Sequence, residues 1–280
     1  MKKAKITLIL LLSFFLNACT SSFVYNNIDW LLYWYVGDYV DLTSDQKATL
    51  DEYVASWHHW HRSTELKKYQ AQLKNLQAKL PSSPLNQEQW LTEFYQAQQH
   101  FYRFRNEIAP ELAAMAQQLS AQQLEGLLVT WKKKNLERQS ENGGESKDER
   151  LISRQKDLAE QLEENIGKLT PLQIKMTQQY AQQFASTSEQ RMLYQSTLQQ
   201  VVRKLFAKQS APEFQQQLTS IISNPDQYKT PEYKAASEQN KRLYAQMLAD
   251  LNLSLTEKQK QTLNAKLEDW IRLIDKLILD

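Results

Sequence analysis

Five times along this chain of 280 residues the same short phrase returns: Leu, then Ser, Thr or Asn, then two further residues, then Gln. It reads LTSDQ from Leu42, LNQEQ from Leu85, LSAQQ from Leu119, LTPLQ from Leu169 and LTEKQ from Leu255. The first N–H groups of an α-helix have no acceptor within the helix. A hydroxyl or amide at the N-cap accepts from one of them, and a Gln at N3 reaches back to the N–H of the cap. The Leu at N′ is placed to pack on N4. Pro171 falls at N1, where a missing N–H costs nothing. Each phrase is a helix start with a mechanism. Their uneven spacing argues against a regular solenoid. Gly at 5 and Pro at 7 are too scarce for the turns of a β-sandwich, and no stretch alternates apolar and polar residues for long. The expectation is an all-α fold, a multi-helix bundle of mostly antiparallel helices.

The pattern predicts helices over 23–40, 44–79, 87–118 with Pro110 inside, 121–140, 147–167, 171–208, 212–223, 231–251 and 257 to the end. Gly167 suits the C′ position of the fifth. The sharpest break is SENGGES, 140–146, and a subdivision of the helical domain 23–280 is placed at the 140–147 loop. Leu66, Tyr69, Leu73, Leu76 and Leu80 step by three and four, an inward stripe, as do Leu263, Leu267, Ile271, Ile274 and Leu277.

The first 18 residues read as an export signal. Lys2, Lys3 and Lys5 precede an apolar run from Ile6 to Leu16 that is too short to span a bilayer. Leu16-Asn17-Ala18-Cys19 follows and resembles the bacterial lipobox. That resemblance implies cleavage before Cys19, a diacylglyceryl group on its sulfur and an acylated amine, with 19–22 as lipidated N-terminus and short tether. Several acyl chains make a lasting anchor. Thr20 stands where an Asp would retain such a protein at the inner membrane of enteric bacteria, so the resemblance points to the periplasmic face of the outer membrane. Cys19 is the only cysteine, so disulfides, thiolate catalysis and Cys metal ligation are excluded elsewhere. Cleavage would take the formal charge from +2 to −1, leaving 31 basic against 32 acidic residues. Such a balance suits no nucleic-acid partner. The partners expected are the membrane, through Cys19, and an envelope protein.

The segment FVYNNIDWLLYWYVGDYVDL from Phe23 is the densest in aromatics. Val24, Ile28, Leu31, Leu32, Tyr35, Val36 and Tyr39 form one face; Trp30, Tyr33 and Trp34 lie on the other, with Asn26, Asp29 and Asp38. A helix apolar on two sides is buried in a bundle or lies in a membrane interface, so Trp30, Tyr33 and Trp34 are candidate interface residues. WHHWHR, 57–62, holds three of the four histidines. Here Leu50, Val54, Trp57, His61 and Thr64 would share a helical face. One reading is a metal site of His58, His61 and Glu65. Another is a proton switch. The third is a buried polar network of His61 and Arg62 with Asp29, Asp38 or Glu65, because a buried guanidinium needs a carboxylate. Signatures of helical metalloenzymes are absent, so the third is adopted, with no metal and no cofactor, and His58 and His59 turned to solvent.

YNNIDWLLYWYVGDYVDLTSDQ followed by WHRSTEL resembles a family of uncharacterised lipoproteins of Gram-negative bacteria, a domain of unknown function. The matching positions are Tyr25-Asn26, Asp29, Tyr39, Asp41-Leu42, Gln46, Trp60-His61-Arg62, Glu65-Leu66 and Tyr69. The resemblance implies an all-helical lipoprotein and supplies no activity. The repeated LTxxQ-like elements are also similar to those of small periplasmic stress chaperones of the Cpx type, which implies client binding as an alternative role. No catalytic signature appears, and the expectation is a structural or protein-binding lipoprotein, not an enzyme.

Overall fold

All five predicted capping boxes form. Thr43, Asn86, Ser120, Thr170 and Thr256 each accept from the N–H of the Gln three residues on, and each Gln returns its side-chain oxygen to the cap N–H, at 2.8–3.3 Å. Ser146 and Glu149 make a further box that ends in Glu. The computed structural model describes residues 18–81, 83–143 and 146–279, and every regular element among them is helical. The expected signal peptide, except Ala18, lies outside the described residues.

The helices are α1 (Ala18–Asn26), α2 (Ile28–Gly37), α3 (Ser44–Trp60), α4 (Leu66–Lys79), α5 (Gln87–Gln117), α6 (Ala121–Gly143), α7 (Lys147–Ile166), α8 (Pro171–Gln183), α9 (Ser188–Phe206), α10 (Phe214–Ser223), α11 (Pro231–Leu253) and α12 (Glu257–Leu279). A π-helical turn, His61–Glu65, joins α3 to α4, and a 3-10 turn, Pro225–Tyr228, follows α10. Helix α5 packs on α10, α11, α3 and α4, while α12 packs on α4, α7 and α1. Phe214, fully buried, centres one core with Ala113, Leu128, Val202 and Leu205. A second joins Leu162, Ile166, Leu169, Met247 and Leu251. A third sets Leu50, Val54 and Trp57 against Met115. Leu66 meets Leu273 and Leu277 with Tyr25 alongside, so the first helix lies on the last.

Four of the box glutamines do more than cap. Gln46 and Gln123 donate to each other's side-chain oxygen at 3.1 and 2.7 Å. Each Nε2 also donates to the carbonyl just before its partner's box, Gln46 to Gln118 and Gln123 to Asp41. Gln173 and Gln259 repeat the arrangement at 2.9 and 2.8 Å, reaching the carbonyls of Ser254 and Lys168. Two helix starts are thereby locked face to face, twice, and the carbonyl just ahead of each box gains a donor.

Several predicted helices are subdivided. The 23–40 helix breaks at Asn27, whose backbone leaves the helical region and whose amide donates to the Phe23 carbonyl. The 171–208 helix breaks at 184–187. There Phe184 turns extended, Asn240 pairs with both backbone groups of Ala185, and the Arg154 guanidinium donates to the carbonyls of Ala181 and Phe184. Groups remote in sequence supply these partners, so no local pattern announces the break. The 121–140 helix runs on to Gly143 before Ser146 caps α7. Helix α5 continues through Pro110. Gly167 ends α7 at φ 78° and ψ −169°, a conformation reserved in practice for Gly, and its N–H closes on the Glu163 carbonyl.

Candidate functional site

The π-helical turn sits inside the histidine motif and resets the register of everything after it. A continuous α-helix would carry Thr64 inward with Trp57 and His61. One extra residue in the turn leaves Thr64 exposed and brings Glu65 to the interior instead, at 0% exposure. A carboxylate there needs partners. Helix α5 provides them one turn apart. Arg103 donates to both carboxylate oxygens through Nε at 3.0 Å and through Nη2 at 2.7 Å, and His100 Nδ1 lies 2.6 Å from Oε1. Lys68 adds a contact at 3.2 Å.

The network continues past the histidine. His100 Nε2 lies 2.8 Å from the Gln72 oxygen, and Gln72 donates to the Glu93 carbonyl and carboxylate. Lys79 closes on Glu93 at 2.9 Å. Tyr69 stacks on His100 with ring centroids 4.0 Å apart. Burial pushes the Glu65 carboxyl up, but the hydrogen bonds from Arg103, His100 and Lys68 outweigh it and bring it down to about 2. Burial lowers His100, with Glu65 pulling the other way. The hydrogen-bonding partners of His100 are the Glu65 carboxylate, the Gln72 amide and the Arg103 guanidinium, and the network ties the π turn and α4 to α5.

The five residues expected to form one network are not brought together. Glu65 is its centre, but Asp29 and Asp38 are exposed, and Asp38 pairs with Lys134 at 2.8 Å. Arg62 is half-buried and donates to Asn26 at 2.7 Å, with Tyr25 under its guanidinium at 5.6 Å. His61 meets the hydroxyl of Tyr25 at 3.0 Å. The segment predicted as the 23–40 helix does face the motif, but through the phenol and amide of Tyr25 and Asn26 in α1, because Asp29 in α2 and Asp38 just after it fall on the outer side. His59 is exposed, whereas His58 is half-buried with its ring 4.6 Å from Tyr25, against the expectation that it faces solvent. His100, Arg103, Gln72 and Glu93 were missed. The available signal was His100 three residues before Arg103 on an amphipathic helix, which stays ambiguous until the π turn fixes which acid it meets.

Among the described residues no group of three or more His, Cys, Asp or Glu is placed to hold a metal ion. The His58, His61 and Glu65 set fails because the Glu65 oxygens are taken by α5 and His61 Nδ1 by Tyr25.

Burial lowers His61 to about 4, and it lowers His58 with Arg62 adding to the effect. Both release their proton more readily when folded than when unfolded, where they titrate near 6.5, and His61 stays neutral down to about pH 4. The unfolded chain therefore binds more protons between these values. Stability is fully present above about pH 6.5 and falls as pH drops toward 4, by on the order of 3 kcal/mol for His61 alone. Glu65 adds a loss below about pH 4.5 that completes near 2. Urea unfolding at a series of pH values should show this slope, shallower in His61→Gln. A flat profile from pH 7 to 4 would refute the buried neutral histidine.

Nearer Cys19, α1 and α2 use their two apolar faces differently. Ile28, Leu32, Tyr33 and Val36 pack onto the core around Leu50 and Trp57. Tyr33 is thus turned inward, its hydroxyl meeting the Lys47 carbonyl at 3.0 Å and the Asp51 carboxylate, and it leaves the expected interface set. Phe23, Trp30 and Trp34 point out, 66%, 65% and 65% exposed. No helix among the described residues is long and apolar enough to cross a membrane.

No curated protein and no solved structure matches the chain. The all-α architecture, the Glu65 cluster and the Gln46–Gln123 lock all lie in or span the region that a family pattern covers. That region is residues 38–234, well over half the length, and it matches the family of unknown function DUF6279, to which this chain belongs.

Proposed function

We propose that this protein is a lipid-anchored periplasmic protein of the outer membrane, held by acyl chains on Cys19, that rests on the membrane surface and presents its helical body to an envelope protein. The observation that carries the reading is the exposed trio Phe23, Trp30 and Trp34 in the two helices that begin beside Cys19. Three large aromatic side chains on one short segment are costly in water and favourable at a lipid headgroup boundary. Asp29 is exposed next to them, which favours a zwitterionic surface over an anionic one. The role is structural or protein-binding, not enzymatic, because the Glu65–His100 cluster is committed to fastening helices. The client-binding alternative rested on the LTxxQ-like elements, and four of their five glutamines are turned onto one another within the fold.

Two measurements test this. Radiolabelled palmitate should enter the full chain and be lost in Cys19→Ser; incorporation that survives refutes the anchor. Lipidated protein in phosphatidylethanolamine vesicles with brominated acyl chains should show tryptophan quenching, most of which disappears in Trp30→Ser/Trp34→Ser. Equal quenching in both refutes the interfacial contact and leaves the anchor standing.

A further inference from the structure

A cavity of about 910 Å³ opens between α5, α7, α11 and α12, with the break at 184–187 and the start of α9 alongside. Its size is at the upper end of small-molecule sites. The deep wall is aliphatic and comes from the helices of the second core, with Leu162, Ile166, Leu251 and Leu263. Phe94, Phe184 and Tyr244 also line it.

Two features of the lining are not explained by packing. The first is polar. Trp90, Trp270 and Asn252 line the cavity, and their Nε1, Nε1 and Nδ2 atoms are buried with no hydrogen-bond partner. Asn252 is 8% exposed. Buried N–H groups are nearly always paired, and each unpaired one is destabilising. All three are donors, so what they lack is an acceptor. The second is charge. Arg150, Arg154, Arg191 and Lys266 line the cavity against Asp157 and Glu164. Arg154 is engaged with the carbonyls of Ala181 and Phe184. No ion pair among the described residues engages Arg150, Arg191 or Lys266, nor Asp157 or Glu164, which leaves the lining, Arg154 aside, one positive charge in excess. A long apolar wall, unmatched donors and an excess of free cations together describe one kind of molecule.

We infer that this cavity binds an amphiphile with a single acyl chain and an anionic head, its chain on the aliphatic wall, its ester or carboxylate oxygens facing the tryptophan and Asn252 N–H groups, and its charge at Arg150, Arg191 and Lys266. A free fatty acid and an anionic lysophospholipid share this chemistry. The inference is independent of how α1 and α2 meet the membrane.

The full chain in its native membranes is the material for the test. Photoreactive diazirine palmitate and diazirine lysophosphatidylglycerol are the two probes, and labelled peptides are mapped by mass spectrometry. Labelling is expected on 150–166 and 240–270 with one or both probes; the stronger probe names the source. Excess unlabelled ligand of the same kind should compete, and hexadecanol, which lacks the charge, should compete about tenfold less well. Arg150→Glu/Lys266→Glu alters only the rim and should lower labelling by about fivefold or more without changing the melting temperature. Asn252→Leu separates ligand binding from folding: it should raise the melting temperature, by removing an unpaired buried donor, while lowering labelling. Labelling confined to 23–34, equal competition by hexadecanol, or an unchanged signal in the rim variant would overturn the inference. So would a lowered melting temperature in Asn252→Leu with labelling intact.

Discussion

Glu65→Ala is expected to lower the unfolding free energy by roughly 3–5 kcal/mol, the range for removing one partner from a buried ionic cluster. The carboxylate, itself 0% exposed, receives Arg103, His100 and Lys68. Without it, His100 Nδ1 loses its acceptor next to an unneutralised guanidinium. Arg103 is 35% exposed and can turn partly to solvent, which places the effect nearer the lower bound. Arg103→Ala strands the carboxylate itself and should cost as much or more. Arg62→Ala is the control. Its partner is the exposed Asn26, so the loss should stay below about 1 kcal/mol. Equilibrium urea unfolding with unchanged m values measures all three. A Glu65→Ala loss under about 1 kcal/mol would show that the cluster fastens nothing.

The lock between α8 and α12 should be nearly as costly to break. Gln173 is 0% exposed. Its amide serves the Thr170 N–H, the Ser254 carbonyl and the Gln259 side chain together. In Gln173→Ala all three lose a partner at about 1–3 kcal/mol for each group left unsatisfied, with some relief from solvent, so roughly 3–4 kcal/mol is expected. Gln259→Ala alone should cost a similar amount. The double variant should cost well less than the sum, with a coupling of about 1–3 kcal/mol, because the second deletion removes a group already stranded. Hydrogen exchange should rise together at 168–173 and 254–259, segments far apart in sequence. Additive losses and independent exchange would mean that the two boxes act only as caps.

The helix starts were legible because capping is local: cap, N3 glutamine and N′ leucine lie within five residues, and Thr43 or Thr170 need no distant partner to form the box. What a local pattern omits is the second use of the same amide. Nothing in LTSDQ says that Gln46 meets Gln123, since that depends on two loops arriving side by side. The aromatic helix was read as apolar on two sides, and the structure assigns the sides, Tyr33 in and Trp30 and Trp34 out. The acidic centre was half legible. Glu65 was named, but the wrong acids and the wrong helix were set beside it, because the reading assumed a uniform α-helix through 44–79. A single residue of π-helical excess cannot be seen in a periodicity of 3.6, yet it decides whether Thr64 or Glu65 faces inward.

On the proposed export, the packing of α1 on α12, with Tyr25 beside Leu273 and Leu277, would order events in time. A chain that is exported from its amino end delivers α1 first and α12 last. The segment closest to Cys19 would meet the 58–62 motif early, through Tyr25 and Asn26, but would lack its α12 surface while the rest of the polypeptide is still crossing. Contacts between such distant parts of a chain form late, since the intervening loop must close first. The α12-facing side of the first helix would thus stay uncovered throughout translocation and be closed only once the carboxyl-terminal helix has arrived.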